Sequence, residues 1–450
     1  MLFSSLEFLF LFLPISVGIY FLLPQALKNL WLLLSGICFY ALGEPSFLQI
    51  MLLTVAIDFL LGVLIQKFQK REVLARVILW LAVVYNVGQL VYFKFFSQSL
   101  PIGISFYTFQ ALSYVIDVYR KSVEASRDPI AFGAYVTLYP QLIAGPIVRY
   151  SDVDNELRTR KHTVEATASG IRTFCIGLAK KVLLADVAGE AWEFFAHRGG
   201  FVDAYAGIFF FAMQIYFDFS GYSDMACGLG RIFGFSFPKN FNYPYISKSI
   251  SEFWHRWHIT LSSFFKEYVY ISLGGNRVGA VKTYRNLLIT WALTGLWHGA
   301  TLNFLVWGLY FAIILIIEKA FLLRFLKKLP DFFQHFYAIF FIALGWVIFA
   351  TDGQSMSLAE GGKYVARLFG FFTSGFCSYL TLYELSRYLV IIVILIFGAT
   401  PLPKQIYTRL CERFPTLISV LNFILPTAAF VLSVAYIVNS GYHPFLYLRF

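Results

Sequence analysis

The chain has 450 residues, of which 59% are hydrophobic and only 14% are charged, and its mean hydropathy of +0.68 lies outside the balance of a soluble domain. This composition excludes an ordinary soluble protein and indicates that lipid surrounds most of the chain. The net charge of +11 does not indicate nucleic-acid binding, because the basic residues lie in loops between hydrophobic stretches, as in membrane proteins. We therefore expect no nucleic-acid partner.

Hydrophobic stretches of about 17–23 residues, long enough to cross a bilayer as a helix, recur along the whole chain. On the order of ten to twelve such stretches are present, and the clearest lie at 6–23, 47–65, 77–93, 301–317 and 417–438. Long apolar runs without alternation exclude a membrane barrel. The sequence therefore predicts an all-α polytopic membrane protein with about ten to twelve transmembrane or re-entrant helices.

The first stretch follows the opening Met-Leu-Phe-Ser-Ser and has neither a basic leader nor a small-residue cleavage site, which predicts a retained span. Clusters of basic residues predict the cytoplasmic loops. These clusters are Lys67/Lys70/Arg71, Arg120/Lys121/Arg127, Lys319/Arg324/Lys327/Lys328 and Lys404/Arg409/Arg413. With these loops inside, we expect the N-terminus outside and residues 439–450 as a short extracytoplasmic tail.

Internal repeats and long polar linkers are absent from the sequence, which predicts one membrane domain over 1–450. The five cysteines are scattered without metal-ligand spacing, so we expect neither a disulfide framework nor a metal site. The least hydrophobic stretch, at about 221–286, mixes aromatic residues with His, Arg, Lys, Asn and Gly. The chemistry of the protein is expected there.

Residues 249–277 have the pattern of one amphipathic helix. Its aromatic face would carry Trp254, Trp257, Leu261, Phe264 and Tyr268. His258 and His255 would lie roughly 90° and 150° from the centre of that face, so the two histidines cannot share one environment. An interfacial helix with aromatic anchors and a structurally satisfied histidine is the alternative.

A second segment, 289–300, contains Trp297-His298-Gly299 after a basic loop. Thirteen helical residues rise about 20 Å, which brings His298 near or beyond the middle of the membrane. An ionisable side chain at that depth is costly and indicates function, and imidazole is suited to taking a proton from a hydroxyl near neutral pH. The alternative is a neutral histidine that bonds a neighbouring helix.

Several motifs together resemble the membrane-bound O-acyltransferase (MBOAT) family, and within it the branch that includes the membrane subunit of alginate O-acetylation. The likeness covers nearly the whole chain. The motifs are the opening five residues, Gly-Ile-Ser-Phe-Tyr-Thr-Phe-Gln at 103–110, Gly-Pro-Ile at 145–147, Tyr-Phe-Asp-Phe-Ser-Gly-Tyr-Ser-Asp at 216–224, Phe-Asn-Tyr-Pro-Tyr at 241–245, 249–277 and Gly-Leu-Trp-His-Gly at 295–299. His255 stands where the resemblance leads us to expect arginine, and the C-terminal third is short.

The resemblance implies a ring of helices around a central funnel, where a cytoplasmic acyl thioester, expected to be acetyl-CoA, meets an outer acceptor. It implies that His298 is the catalytic histidine and His258 the second polar member of the site. His298 would act as general base on a hydroxyl, and His258 would orient donor or acceptor.

Polar and basic residues around this site could bind the phosphates of coenzyme A at the inner face. The candidates are Lys248, Arg256, Asn276, Arg277, Lys282 and Arg285. The positive-inside bias alone is the alternative explanation of the basic ones.

The tail ends Pro-Phe-Leu-Tyr-Leu-Arg-Phe at 444–450. This aromatic tail resembles the tails of the same branch. It also resembles the tail of a small partner protein in teichoic acid D-alanylation. A phenol can carry an ester, so we expect Tyr447 to receive the acyl group and pass it to an extracytoplasmic esterase-like O-acetyltransferase partner. An interfacial aromatic anchor is the alternative.

We therefore expect a membrane acyltransferase of the bacterial cytoplasmic membrane that supplies acetyl groups for an envelope polysaccharide, either an alginate-type exopolysaccharide or peptidoglycan. D-alanyl transfer to teichoic acid is the related alternative. From another class, a transporter or flippase without covalent chemistry, or a scaffold of a secretion complex, remains open.

Overall fold

A computed structural model describes residues 3–351, 356–440 and 445–446 of the chain. Its described regular structure is helical throughout, which confirms the all-α prediction. Among these residues, six helices are long and apolar enough to cross a bilayer. They are Gln25–Gly43, Pro45–Lys67, Glu72–Phe96, Leu302–Leu326, Asp331–Ala350 and Pro415–Asn439.

The predicted stretches agree with these helices. Those at 47–65, 77–93 and 417–438 lie inside three of the spans, the stretch at 301–317 begins one residue before a fourth, and the one at 6–23 forms the shorter apolar helix Phe8–Leu22. The pair Tyr379–Arg387 and Leu389–Gly398 is bent by 58° and counts as one broken span at most. The protein is thus a multi-pass membrane protein in which shorter or bent helices supplement the long spans.

The helices form two compact units, and the prediction of one domain over 1–450 stays a prediction. The first unit contains Met1–Leu178, Gly221–Lys239 and Ala429–Arg449. Its helices are α1 (Phe8–Leu22), α2 (Gln25–Gly43), α3 (Leu48–Lys67), α4 (Glu72–Val91), α5 (Ile104–Tyr119), α6 (Pro129–Thr137), α7 (Tyr139–Leu142), α8 (Tyr150–Arg158) and α9 (Val164–Ala179).

Aromatic rings form the core of the first unit. Phe3 stacks on Tyr222 with ring centroids 4.7 Å apart, and Phe8 lies 4.8 Å from Phe3. Phe39 of α2 packs against Tyr139 of α7 at 5.4 Å. These large side chains bury apolar surface and contact one another edge-on or offset, arrangements that stabilise aromatic pairs.

The second unit contains Ala179–Ser220 and Asn240–Ala428. Its helices are α10 (Asp186–Ala196), α11 (Phe201–Ile232, through Ser220), α12 (Ile250–Arg256), α13 (Ile259–Phe264), α14 (Ala280–His298), α15 (Leu302–Ile317), α16 (Leu323–Leu326), α17 (Asp331–Ala350), α18 (Leu358–Leu368), α19 (Tyr379–Arg387), α20 (Leu389–Gly398), α21 (Leu402–Arg413) and most of α22 (Pro415–Ser440).

Two glycines let α14 and α15 approach each other closely. A Cβ atom at Gly295 would collide with the backbone carbonyl of Phe304, and a Cβ atom at Gly308 would collide with that of Trp291. Small residues at such contacts are the usual means of bringing membrane helices together, since lipid supplies no hydrophobic drive between them. The close approach fixes the position of the end of α14, where His298 lies.

Candidate active site

Helix α12 begins at a buried N-terminus that a carboxylate from another helix caps. Glu318 accepts hydrogen bonds from the backbone N–H groups of Ile250 at 2.7 Å and Ser251 at 2.8 Å. The Ser249 hydroxyl accepts from the Glu252 N–H at 3.0 Å. Because a helix N-terminus has unpaired N–H groups and partial positive charge, the fully buried Glu318 both satisfies these donors and fixes where α12 starts.

The prediction of one continuous helix over 249–277 is wrong. Helix α12 ends at Arg256, α13 begins at Ile259, and His258 between them has φ +42°, in the left-handed region. The N–H of Ile259 donates to the carbonyl of Asn240 at 2.9 Å instead of to a helical partner. A side chain and backbone from outside the segment therefore replace the helical hydrogen bonds at the break.

Asn240 holds the break and the ring of His258. Its Oδ1 atom accepts from His258 Nδ1 at 3.0 Å and from the hydroxyl of Thr260 at 3.0 Å. An amide oxygen only accepts, so Nδ1 carries the proton and Nε2 is the basic nitrogen of the neutral ring. The ring is 1% exposed and packs edge-on against Phe219 at 4.6 Å. Burial lowers the pKa of His258 to about 3, which keeps this ring neutral.

His298 ends α14 inside a cage of aromatic rings. The helix has 19 residues and is about 28 Å long, so its last residue is far from the basic loop that precedes it. His298 is 3% exposed, and its ring centroid lies 4.9 Å from Trp307 and 5.3 Å from Phe349. The structure thus buries His298 at the end of a long helix, and its predicted depth near or beyond the middle of the membrane stays a prediction.

Tryptophan rings link the two histidines to a cavity. Trp297 lies 6.1 Å from the ring of His258 and 4.7 Å from that of His298. On the other side of the cage, Trp254 lies 5.6 Å from Trp307, which contacts His298. The two histidines therefore share an aromatic neighbour. Trp254, which packs on the cage residue Trp307, lines the cavity, whereas Trp307 and His298 are not among its lining residues.

This cavity has a volume of about 530 Å³ and combines an apolar region with a polar one. Trp254 and Trp291 form part of the apolar wall, with ring centroids 4.6 Å apart. The polar and basic side chains of the lining are Ser251, His255, Ser262, Ser263, Lys266, Tyr270, Asn276, Thr290, Thr294 and Lys319. Volume and composition match those of ordinary small-molecule pockets.

Most of the predicted donor-binding residues lie outside this cavity lining, although Asn276 is in it. Lys248 pairs with Asp331 at 2.7 Å, and Arg256 pairs with Glu252 at 2.8 Å. The other three candidates, Arg285, Arg277 and Lys282, form no ion pair among the described residues. Arg285 donates to the side chain of Asn286 at 2.9 Å, and Arg277 is exposed, as is Lys282.

The cavity contains basic side chains that sequence reasoning missed. Lys266 and Lys319 line it together with His255, and Lys319 donates to Asn276 Oδ1, which also accepts from the Tyr270 hydroxyl at 2.5 Å. Lys319 follows the capping residue Glu318, so a charged pair inside an apolar span was the available signal.

The described part of the tail is short. Phe445 is 3% exposed and packs 4.9 Å from Tyr222. Tyr447, the expected acyl carrier, lies outside the described residues. Within the described part of the chain, groups of three His, Cys, Asp or Glu side chains that could hold a metal ion are absent.

Comparisons with known proteins agree with these features. The family model of MBOAT, the membrane-bound O-acyltransferase family, matches residues 60–359. The probable alginate O-acetylase AlgI of Pseudomonas fluorescens is 41% identical over 380 residues, which are 82% of this chain and 76% of the relative. The peptidoglycan O-acetyltransferase of Helicobacter pylori is 33% identical over 80% of this chain and 78% of its own length.

A more distant similarity covers less of the chain. The teichoic acid D-alanyltransferase of Bacillus subtilis is 30% identical over 234 residues, which are 48% of this chain and 58% of the relative. The similarity to the O-acetylating proteins is therefore both higher and more extensive.

Proposed function

Since the chain belongs to the membrane-bound O-acyltransferase family, we propose that it moves an acetyl group from a cytoplasmic thioester across the bacterial cytoplasmic membrane for O-acetylation of an envelope polysaccharide. The observation that carries this proposal is His298, caged by aromatic rings at the end of α14, where its neighbour Trp307 packs on Trp254 in the wall of a cavity with basic side chains. Family membership makes the protein an acyltransferase, which removes the support for a transporter or scaffold.

In the proposed reaction, His298 is the general base. It takes the proton of an acceptor hydroxyl as the hydroxyl oxygen attacks the thioester carbonyl carbon. The carbon–sulfur bond then breaks, and the departing thiolate takes the proton from the imidazolium. The products are an oxygen ester and a free thiol. The rings around His298 exclude water, which would otherwise hydrolyse the thioester.

His258 acts as a positioning residue in this proposal. Asn240 fixes the proton on its Nδ1 atom, so the unprotonated Nε2 atom can accept a hydrogen bond from an acceptor hydroxyl. The low pKa makes the ring a weak proton acceptor at neutral pH. In this proposal His258 is the orienting histidine because Asn240 fixes its ring, and His298 is the base.

The donor occupies the cavity of about 530 Å³, and acetyl-CoA is the proposed donor. Its phosphates contact Lys266 and Lys319, because ammonium groups form charge-assisted hydrogen bonds with phosphate oxygens. Its thioester end lies against the apolar wall at Trp254. Trp254 packs on Trp307, and Trp307 contacts His298. The residues predicted from sequence contribute Asn276 to this site.

Tyr447 is the proposed acceptor on the extracytoplasmic side, from which an esterase-like partner takes the acetyl group to the polysaccharide. The polymer is an alginate-type exopolysaccharide or peptidoglycan, as the names of the two relatives suggest for those proteins. D-alanyl transfer is the second candidate, supported by the relative from Bacillus subtilis over 48% of the chain.

The test follows labelled acetyl from acetyl-CoA onto the protein in lipid vesicles. We expect label on the wild type, with loss in His298→Ala and in Tyr447→Phe, while Tyr442→Phe, the matched change in the same tail, keeps it. Label lost in His298→Ala alone means that another group carries the acetyl. Release of CoA with no dependence on His298 would overturn the proposal, as would labelling by D-alanyl but not by acetyl thioesters.

A further inference from the structure

Three basic side chains converge on Tyr20 in the first unit. Arg160 Nε donates to the Tyr20 hydroxyl at 3.0 Å, and His162 Nε2 lies 3.3 Å from the same oxygen. The ammonium of Lys28 lies 4.8 Å from the centroid of the Tyr20 ring. Because the Tyr20 hydroxyl donates its own proton to the carbonyl of Phe233 at 2.8 Å, it accepts from Arg160 and from His162.

These charges are buried without a matching anion. Arg160 is 7% exposed and Lys28 is 8% exposed, and neither forms an ion pair within the described part of the chain. Glu156 is within electrostatic range of Arg160 but forms no ion pair with it there. Buried charges are expensive unless they are paired, so two cations beside one carboxylate that forms no ion pair with them among the described residues leave a net positive site.

One buried hydrogen-bond donor of the cluster lacks an acceptor within the described part of the chain. Arg160 Nη1 donates to the carbonyl of Glu156 at 3.2 Å, whereas Nη2 is buried and has no partner among the described residues. His162 Nδ1 is also buried without a partner there, but in the neutral ring it is an acceptor, because Nε2 carries the proton donated to Tyr20. Burial lowers the pKa of His162, and the charges of Lys28 and Arg160 lower it further. An anion would accept from Arg160 Nη2 and offset the charges of Arg160 and Lys28.

The cluster lies at the end of the unit that we expect to face the cytoplasm. Helices α2 and α3 are consecutive spans, and α3 ends at Lys67, beside the basic residues Lys70 and Arg71. If that end is cytoplasmic, the beginning of α2, which carries Lys28, is cytoplasmic too. Phospholipid headgroups and soluble phosphate esters both meet the protein at this face.

We propose that Lys28, Arg160 and His162 form a phosphate-binding site, separate from the acyl-transfer cavity. Arg160 Nη2 donates to phosphate oxygens and Lys28 supplies a further positive charge. His162 donates from Nδ1 only in its imidazolium form, because in the neutral ring Nε2 carries the proton that faces Tyr20. The phosphate belongs either to a phospholipid headgroup or to a soluble phosphate compound. The site does not depend on the proposed acyl transfer, because none of its residues belongs to that machinery.

The test measures the thermal unfolding midpoint of the full chain in neutral detergent. Two probes are titrated at constant ionic strength: inorganic phosphate against chloride, and phosphatidylglycerol against phosphatidylcholine in mixed micelles. For the wild type we expect a saturable rise with at least one probe. In Lys28→Gln the apparent affinity should be about tenfold weaker, because one charge-assisted contact is lost.

Lys28→Gln is the primary variant because Lys28 makes no hydrogen bond among the described residues, whereas Arg160→Gln also removes the contacts to Tyr20 and Glu156. Lys161→Gln is the matched control, since Lys161 is exposed and next to Arg160. A rise with phosphatidylglycerol alone identifies a lipid site, and a rise with phosphate identifies a soluble ligand. Absence of any saturable rise in the wild type, or equal affinity in Lys28→Gln and Lys161→Gln, overturns the proposal.

Discussion

The carboxylate of Glu318 accepts both the backbone N–H of Ser251, at 2.8 Å, and its hydroxyl, at 2.6 Å. One acidic side chain inside an apolar span thus anchors the start of α12. That helix carries Trp254, which lines the proposed donor cavity.

Removing this carboxylate should therefore destabilise the fold around the site. We expect Glu318→Leu to cost about 3 kcal/mol or more, because it leaves several buried donors unpaired. Glu318→Gln keeps one acceptor oxygen and should cost less. The measurement is the unfolding midpoint in detergent, with Glu412→Gln as the control because Glu412 is exposed on α21. If Glu318→Leu has the same unfolding midpoint as the wild type, Glu318 does not anchor α12.

Asn240 offers a test of the positioning role of His258. Asn240→Ala removes the oxygen that accepts from His258 and from Thr260, so the ring can adopt the other tautomer or rotate. We expect kcat to fall by about 100-fold, since misplaced catalytic groups cost that much, with KM for acetyl-CoA nearly unchanged. Asn422→Ala is the control, because it removes the amide oxygen of a half-buried asparagine that accepts from Tyr407 and not from His258. A rise in KM with unchanged kcat would assign Asn240 to donor binding instead.

The proposed donor cavity predicts which basic residues bind acetyl-CoA. Lys266→Gln and Lys319→Gln should each raise the KM for acetyl-CoA about tenfold, the loss expected for one charge-assisted contact. Arg277→Gln should leave KM unchanged, because Arg277 is exposed and outside the cavity lining. The measurement is the steady-state KM for acetyl-CoA of each variant. A higher KM in Arg277→Gln, with unchanged KM in Lys266→Gln and Lys319→Gln, would favour the donor-binding residues predicted from the sequence over those in the cavity.

The close approach of α14 and α15 predicts that Gly295 tolerates no larger residue. Gly295→Val places side-chain atoms against the backbone of Phe304, and overpacking of this kind costs about 1–3 kcal/mol or more. We expect a lower unfolding midpoint and loss of transfer activity. Gly88→Ala is the control, because Gly88 is exposed in α4 with open space around it. Its midpoint should stay the same or rise slightly, since alanine favours helix.

Hydrophobicity and helix length were sufficient to predict much of the fold. The spans around 47–65 and 417–438 follow from the need to satisfy every backbone group in lipid. Helix length predicted that His298 lies far from the basic loop, whereas its burial comes from Trp307 and Phe349 on other helices. The break at His258 could not be predicted in this way, because Asn240, 18 residues earlier, causes it through tertiary hydrogen bonds. The amphipathic pattern of 249–277 is compatible with either conformation.

The basic residues that line the proposed donor cavity were also not predicted from the sequence. Arg277 and Arg285 are close to the site in sequence, but their side chains lie exposed or bonded to Asn286. Lys319, on a different helix, lies in the cavity lining. Proximity along the chain does not determine which charges share a cavity, because helix packing brings distant segments together.

The most direct test of the central claim is the rate of CoA release in a single turnover of acetyl-CoA, with the binding of acetyl-CoA measured in parallel. For His298→Gln we expect the rate to fall at least about 100-fold, the contribution of a general base, while the affinity for acetyl-CoA stays the same. His197→Gln, at an exposed histidine, should behave as the wild type. A His298→Gln rate within a few-fold of wild type would contradict the assignment of His298 as the catalytic base.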